Sequence, residues 1–340
     1  MRKISVKRLW FVLSGGAALI LAASYVSLTH GEFDMTLQEV IQTLFRIHPT
    51  PQLDLVIFDF RLPRVVIAAL VGLGLGIAGA AVQGVTRNGL ADPGILGINA
   101  GAGAAIVIFM FFYQGQMETT GWTAALAMPF FGLIGGLLAA LLIYSFAWKA
   151  GRLDSQRLLL VGIAIGSGFG SLSLYLSLKM KASDFEMATV WMSGSIWSAD
   201  WKLVAAVIPW LVILIPVIWL KSYVLDLFQL HEHTAKSLGV ATEKEKSILL
   251  LSSIGLVSAC VSVSGGIGFV GLLSPHIARR LVGLHHRFVI PVCGMVGMVL
   301  VLLSDFVAKT VVAPAEIPVG LIIAVIGVPY FVVLLMKKTA

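Results

Sequence analysis

The sequence predicts an all-α membrane protein of about ten transmembrane helices, and three observations lead there. First, its 340 residues are 58% hydrophobic and only 12% charged, with a mean hydropathy of +0.96. That is about half the charge with which a soluble domain solvates its surface. Second, the charge is confined to short clusters between uncharged runs at 9–31, 65–86, 93–117, 119–148, 158–178, 203–220, 247–278, 288–304 and 317–336. A helix takes about 20 apolar residues to span the hydrocarbon. Most runs reach that length, and snorkelling flanks extend the shortest. Third, the runs are unbroken, whereas strands of a transmembrane barrel alternate apolar and polar residues over about ten positions.

The first run follows a basic start and imitates a signal peptide. Its apolar stretch of about 20 residues exceeds the usual 7–15 and no small-x-small cleavage site follows, so it is expected to stay as the first span. The second run carries Gly72, Gly76 and Ala80 at every fourth position, with Gly74 and Ala78 beside them. Gly162, Gly166 and Gly170 repeat the pattern in the run at 158–178. Small residues so spaced let helix backbones approach closely, and they equally leave room for a solute; sequence alone does not separate the two. Gly74-Leu75-Gly76-Ile77-Ala78-Gly79 matches the dinucleotide fingerprint in letters only, because it lies inside an apolar helix instead of after a strand. The run at 247–278 is too long for one ordinary span and is interrupted by Gly265, Gly266 and Gly268. Glycine weakens helix interiors, so a full span and a shorter helix at about 269–281 are expected there. Nine runs thus become ten spans, with both termini on one side. Segments on that side collect most of the 24 lysines and arginines, which places both termini in the cytoplasm.

Between the spans, two segments stand out. The segment at 32–60 is expected outside and carries Glu32, Asp34, Glu39, Asp54 and Asp59. The segment at 221–246 is the longest cytoplasmic loop; Leu227, Leu230, Ala235 and Leu238 followed by Gly239 read as one or two short amphipathic helices ending at a glycine cap. No soluble domain is expected, and residues 1–340 form a single transmembrane domain.

The residues offer little chemistry. Cys260 and Cys293 lie in apolar runs and read as small hydrophobes. His231-Glu232-His233 lacks the second histidine that a zinc-protease helix requires, since position 235 is Ala. His285-His286 reads as a polar loop, and His276 after Pro275 as a donor to freed backbone carbonyls. Ion-coupled carriers need titratable groups at mid-membrane; Asp305 near an outer end, with Asp92 and Asp154 at inner edges, is a thin supply. An intramembrane enzyme needs a nucleophile beside a base, and Ser167 and Ser264 have no identifiable partner. No catalytic residue and no metal site is expected. No GxxxxGK[ST] phosphate loop occurs, so energy for uphill transport is expected from another polypeptide. The basic residues flank spans and form no stripe for nucleic acid.

Several strings together resemble the FecCD/BtuC-type permeases, the membrane subunits of ABC importers for iron–siderophores, haem and cobalamin. They are Arg61-Leu62-Pro63-Arg64; Ala80-Ala81-Val82-Gln83-Gly84 running into Arg87-Asn88-Gly89-Leu90-Ala91-Asp92-Pro93-Gly94-Ile95-Leu96-Gly97; and Trp191-Met192-Ser193-Gly194-Ser195. Ala235-Lys236-Ser237-Leu238-Gly239, Gly266-Ile267-Gly268-Phe269-Val270-Gly271-Leu272 with Pro275-His276-Ile277-Ala278-Arg279, and Glu316-Ile317-Pro318-Val319-Gly320 complete the set.

The resemblance implies a BtuC-like fold in the bacterial cytoplasmic membrane. It also implies a second permease subunit, identical or paralogous, with the passage at the interface and lipid around it. Two cytoplasmic ATPases would bind the ATP and Mg, so this chain holds no cofactor, and an extracellular solute-binding protein would deliver a ferric siderophore or similar chelate. It assigns Leu230, Glu232, Ala235, Leu238 and Gly239 to the ATPase contact, and Asn88 and Leu90 to the neighbourhood of the inner gate. Gly162, Gly166 and Gly170 go to the translocation path. Arg61, Arg64 and Lys309 are assigned to docking of the binding protein, with intramolecular pairing to Asp54, Asp59 or Glu316 as the alternative. Two departures are visible: Gly89 stands where the family usually has proline, and Lys309 where arginine is common.

Overall fold

The computed structural model describes residues 6–31, 35–47, 50–113, 122–149, 151–230 and 232–338. In chain order the helices are α1 (Val6–Thr29), α2 (Leu37–Leu44), α3 (Pro51–Asp54), α4 (Leu62–Thr86), α5 (Asn99–Tyr113), α6 (Trp122–Ala147), α7 (Ser155–Ser177) and α8 (Ala182–Met192). They continue as α9 (Trp201–Leu220), α10 (Ser222–Leu227), α11 (Glu232–Ser237), α12 (Thr242–Ser264), α13 (Val270–Val282), α14 (His286–Thr310) and α15 (Val319–Lys338). π-Helical turns at Leu55–Arg61 and Gly94–Ile98 lead into α4 and α5. The strands Trp148–Lys149 (β1) and Arg152–Leu153 (β2) pair antiparallel between α6 and α7.

All ten expected segments are helical. The helices α1, α4, α6, α7, α9, α12 and α14 are each long and apolar enough to cross a membrane, and α5 and α15 are shorter apolar helices. The long run at 247–278 breaks where its glycines stand: α12 ends at Ser264 and α13 starts at Val270. Gly265 and Phe269 both turn through left-handed backbone, at φ 67° and 65°. The short helices α2, α3 and α8 had no apolar run to announce them. In α2, Thr36 and Glu39 form a reciprocal capping box, so Glu39 of the acidic outer segment is engaged locally; Glu32 and Asp34 lie outside the described residues.

The bundle is built around α4 and α12, whose most apolar stretches are 78% and 83% buried, against 17% for α7. Small residues explain how α4 reaches that depth. A Cβ placed on Gly72 would meet the backbone of Gly297, one on Gly76 the Cys293 carbonyl, and one on Gly79 the backbone of Gly271. A Cβ on Gly74 would collide with Cys260 Sγ. The face at 72, 76 and 80 is therefore a packing face, which decides between the two uses that its sequence allowed. Cys260 and Cys293 are buried, free thiols that fill space beside glycines.

This contact is reciprocal, since a Cβ on Gly297 would meet the Gly72 carbonyl. Overpacking a tight interior costs about 1–3 kcal/mol. Gly72→Val and Gly297→Val should each lower the Tm of the detergent-solubilised protein by several degrees. Gly168→Ala, where a Cβ meets nothing, should leave it unchanged. Equal Tm values for all three variants would contradict the packing assigned to α4 and α14.

Candidate functional site

Helix breaks within an apolar bundle leave backbone N–H groups without partners, and each must find one. Asp92 answers two of them. Its Oδ1 accepts from the Gly94 N–H at 2.9 Å, and its Oδ2 accepts from the Phe269 N–H at 3.0 Å. Asp92 is buried, so one carboxylate ties the turn entering α5 to the break between α12 and α13. The sequence placed Asp92 at an inner edge with no role. Its signal lay in two turn-like strings, Asp92-Pro93-Gly94 and Gly266-Ile267-Gly268-Phe269, but nothing in the letters says that they meet.

A second junction joins three more resembling strings. The Gly320 N–H donates to the Gly194 carbonyl at 2.9 Å. A Cβ on Gly320 would meet the Ser193 carbonyl, one on Gly265 the Trp191 carbonyl, and one on Gly194 the Gly266 backbone. The end of α8, the α12–α13 break and the start of α15 thus touch backbone to backbone. Beside this junction lies a cavity of about 390 Å³ whose lining includes Asn99, Gly103, Gly170, Ser173, Thr189 and Gly266.

The glycines of α7 divide between packing and open space. Gly162 is buried, and a Cβ on Gly97 of the π-turn would meet its carbonyl. Gly166 sits against the same Gly97, while Gly170 meets nothing. Passage lining is therefore corrected to packing for Gly162 and Gly166, because the left-handed Gly97 (φ 86°) needs bare backbone beside it. Gly170 keeps open space. Ser167 and Ser171 are exposed on the same helix and donate to the Ile163 and Ser167 carbonyls at 2.8 and 2.9 Å.

At the end carrying the C-terminus of α1, the basic residues are engaged. Arg64 donates from Nε to Asp305 Oδ1 at 2.9 Å, and from its two terminal nitrogens to the Glu316 oxygens at 2.9 and 2.8 Å. Its side chain is 12% exposed and that of Asp305 1%. Lys309 Nζ donates to the Ser27 carbonyl at 2.6 Å and to its hydroxyl at 3.0 Å. Arg61 donates to the Leu28 carbonyl. Arg64 and Lys309 tie α4, α14 and α1 together, and Glu316 is the intramolecular partner of Arg64, as the alternative reading of the sequence allowed. Lysine at 309 suits this, because its acceptors are a carbonyl and a hydroxyl, not a carboxylate that rewards a planar fork.

The opposite end carries the loop at 221–246. Lys221 Nζ meets Glu245 Oε2 at 2.6 Å and closes the loop at its root. Helix α11 ends in a Schellman motif: Gly239 at φ 84° donates to the Lys236 carbonyl at 2.9 Å, and Val240 donates to the Ala235 carbonyl at 3.3 Å. Leu230 and Leu238 are exposed, whereas Ala235 is fully buried against its own chain. Direct contact by Ala235 with an ATPase is corrected accordingly; it seats α11 on the bundle. Glu232 opens α11, and His231 lies outside the described residues. Asn88 Oδ1 accepts from the Leu90 N–H at 3.0 Å, and the Asn88 carbonyl from the Ala91 N–H at 3.1 Å. The turn thus stays closed although Gly89 replaces the expected proline. His276 makes no hydrogen bond among the described residues; its ring stands edge-on to Tyr330 at 5.7 Å, so packing replaces the expected contact with carbonyls.

Asp226 on α10 accepts from both the ring Nδ1 and the backbone N–H of His286, at 2.7 and 2.8 Å. Burial pushes its carboxyl up, but the His286 hydrogen bonds and the charges of His286 and His285 outweigh burial and hold it below the ordinary range.

With these elements in place, comparison with known proteins is direct. A model of the FecCD transport family matches residues 19–337. The chain belongs to the FecCD transport family. Among relatives of the FecCD chain, the iron-uptake system permease protein FeuC of Bacillus subtilis (strain 168) is 58% identical over 321 residues, covering 94% of this chain and 96% of that protein. The iron(3+)-hydroxamate import system permease protein FhuG of the same organism is 46% identical over 319 residues, covering 94% of each. The vitamin B12 import system permease protein BtuC of Salmonella typhi is 35% identical over 289 residues, covering 84% and 85%. A solved metal-chelate type ABC transporter in an inward-facing conformation superposes with a TM-score of 0.81 at 28% identity, covering 97% of this chain and 99% of that one. This FecCD chain is accordingly a multi-pass membrane permease, a transport subunit of the ABC type.

Two outcomes test this geometry. Arg64→Ala strands the buried Asp305 and should cost about 3–5 kcal/mol. Glu316→Gln removes a more exposed partner and should cost about 1 kcal/mol or less. Thermal melts in detergent separate the two, and equal losses would contradict the buried tie. The depressed carboxyl of Asp226 stabilises the fold fully above about pH 4 and loses that contribution as pH falls through this range. Asp226→Asn should melt below wild type at pH 7, and the difference should shrink as pH falls below the ordinary carboxylate range.

Proposed function

We propose that the chain is the permease of an ATP-driven importer of a ferric siderophore or similar iron chelate. The 340 residues act as one transmembrane domain with about ten crossings, and both termini and the loop at 221–246 lie in the cytoplasm. A second permease, identical or paralogous, completes the passage. Two ATPases bind ATP and Mg below, and an extracellular binding protein delivers the chelate above. This chain supplies no catalytic residue and no cofactor.

The observation that carries the reading is the loop itself. Leu230 and Leu238 are exposed at the end that carries the loop, flanking a helix locked by its glycine cap. Apolar side chains held in that manner mark a protein partner, and an ATPase cleft fits the relatives' class. The side chains beside the loop show how a push there would travel. Glu243, in the first turn of α12, accepts from the Leu153 backbone N–H of β2 at 2.9 Å and from Lys246 at 2.8 Å. Displacement of α11 therefore reaches the hairpin at 148–153, which leads directly into α7. That helix presents Gly170, Ser167 and Ser171 outward, a small and hydroxylated face suited to a wetted passage between two permeases. Asn88 and Leu90 stand at the inner gate of this passage, and the outer rim around Arg61 receives the binding protein.

Glu232→Lys combined with Gly239→Val should abolish ATP-driven chelate uptake in vesicles containing the permease, ATPases and binding protein. The valine strains a left-handed position by about 1–2 kcal/mol without meeting any atom, so the bundle itself should still melt normally. Binding-protein docking should persist. Normal uptake by this variant would remove the coupling role of the loop.

A further inference from the structure

The cavity of about 390 Å³ beside the backbone junction is walled by α5, α7 and α8. Serines inside apolar helices can satisfy themselves by donating to the carbonyl four residues back. On α7, Ser167, Ser171 and Ser173 do so, to Ile163, Ser167 and Phe169 at 2.8, 2.9 and 2.8 Å. Thr189 on α8 does the same to Phe185 at 2.8 Å. Ser177 does not. It is 1% exposed and lines the cavity, and its Oγ has no partner among the described residues. Asn99, at the start of α5, lines the same cavity, and its buried Oδ1 likewise has no partner among the described residues.

These atoms define the chemistry of an occupant. A buried hydroxyl or amide carbonyl left unpaired is costly, so the occupant must both donate and accept. Ser173 and Thr189 also line the cavity; they have placed their protons on their own helices, but each hydroxyl keeps an acceptor lone pair. The lining contains no Asp, Glu, Lys, Arg or His, which would leave an ion uncompensated. A lipid chain would strand Asn99 and Ser177. Water suits both, and the space exceeds the volume of about 30 Å³ that one molecule occupies.

We infer that this cavity is an internal water site, and that its water is the yielding contact against which the C-terminal half of α7 shifts. A bridging water is nearly as good a partner as a direct hydrogen bond, and it rearranges without breaking a close backbone fit. The N-terminal half of α7 has such a fit, because Gly162 and Gly166 sit against Gly97. Further along, Gly170 lines the cavity and a Cβ there meets nothing. The helix thus passes from a fixed contact to a wet one along its length. The water site stands without the permease reading; its use in moving α7 rests on that reading.

The full chain in phosphatidylcholine nanodiscs tests the water. Ser177→Cys places a near-isosteric thiol at the site, and infrared spectroscopy in D2O follows exchange of its S–H for S–D. The native Cys260 and Cys293, buried among apolar side chains, are internal references that exchange only as the structure opens. The new thiol should exchange at least about a hundredfold faster than either; exchange as slow as theirs overturns the site. Adding Gly103→Leu, whose Cβ makes only ordinary contact with Met192 at 3.7 Å, fills the cavity and should slow the new thiol to the reference rate. Exchange that stays fast in the filled cavity also overturns the site. In the complete transporter with its ATPases and binding protein, Gly103→Leu and Ser177→Val should each lower ATP-driven uptake at least about tenfold, with melting close to wild type. Undiminished uptake by both removes the yielding role of the water. Failure of the wild-type transporter to take up chelate counts against the permease reading instead, and leaves the exchange result standing.

Discussion

The structure depends on how a chain can interrupt its helices inside a membrane without orphaning backbone groups. Water is not there to take them, and each unpaired N–H costs several kcal/mol. The break at Gly265–Phe269 and the π-turn at Gly94–Ile98 are such interruptions, and the buried Asp92 carboxylate satisfies one N–H from each. Because a single side chain serves both, the two breaks are locked in register. The start of α5 cannot shift without disturbing the start of α13.

Bare backbone does the rest. Gly72 and Gly297 bring α4 against α14, Gly79 and Gly271 bring it against α13, and Gly97 meets Gly162. Without a hydrophobic drive between helices in lipid, such contacts supply dispersion and close fit where larger side chains would hold the helices apart. The consequence for function is a division of labour. The centre of α4, α12 and α14 is glycine-packed, while α7, only 17% buried, rests on α5, α6 and the π-turn and is tied at its root to the hairpin that Glu243 holds. Such a helix can be moved from one end, and one such end lies beside the loop with the exposed leucines.

Much of this was legible in the sequence. Apolar run length marked nine helical stretches, because lipid demands it, and the glycine cluster split the one at 247–278 in two. The cap at Gly239 was legible for the same local reason. The sites were less so. For Arg64 and Lys309 the sequence offered Glu316 among three carboxylates as an alternative to docking, but Asp305 and Ser27 went unseen because they are remote in the chain. Ala235 read as part of a contact face because helical periodicity gives a face, not its direction. Asp92 had no visible task, since its two donors, Gly94 and Phe269, are separated by about half of the chain. In each case the missing information was a long-range contact, which no local pattern carries.

The treatment of positive charge at the two ends completes the physical picture. At the end where α1 terminates, Arg64 is neutralised by two carboxylates, and Arg61 and Lys309 are satisfied by carbonyls; these cations bind the helices together and present little free charge. At the loop-bearing end, Arg87 and Arg280 line a cavity and make no ion pair among the described residues. A uniform topology signal would leave cations solvated at the rim, with no reason to tie one of them, Arg279, to the buried Gln83. The asymmetry leaves arginine charge unspent at the loop-bearing end, where α10 and the start of α14 meet. The loop is mechanically continuous with this end, because Asp226 of α10 is tied to His286 at the start of α14.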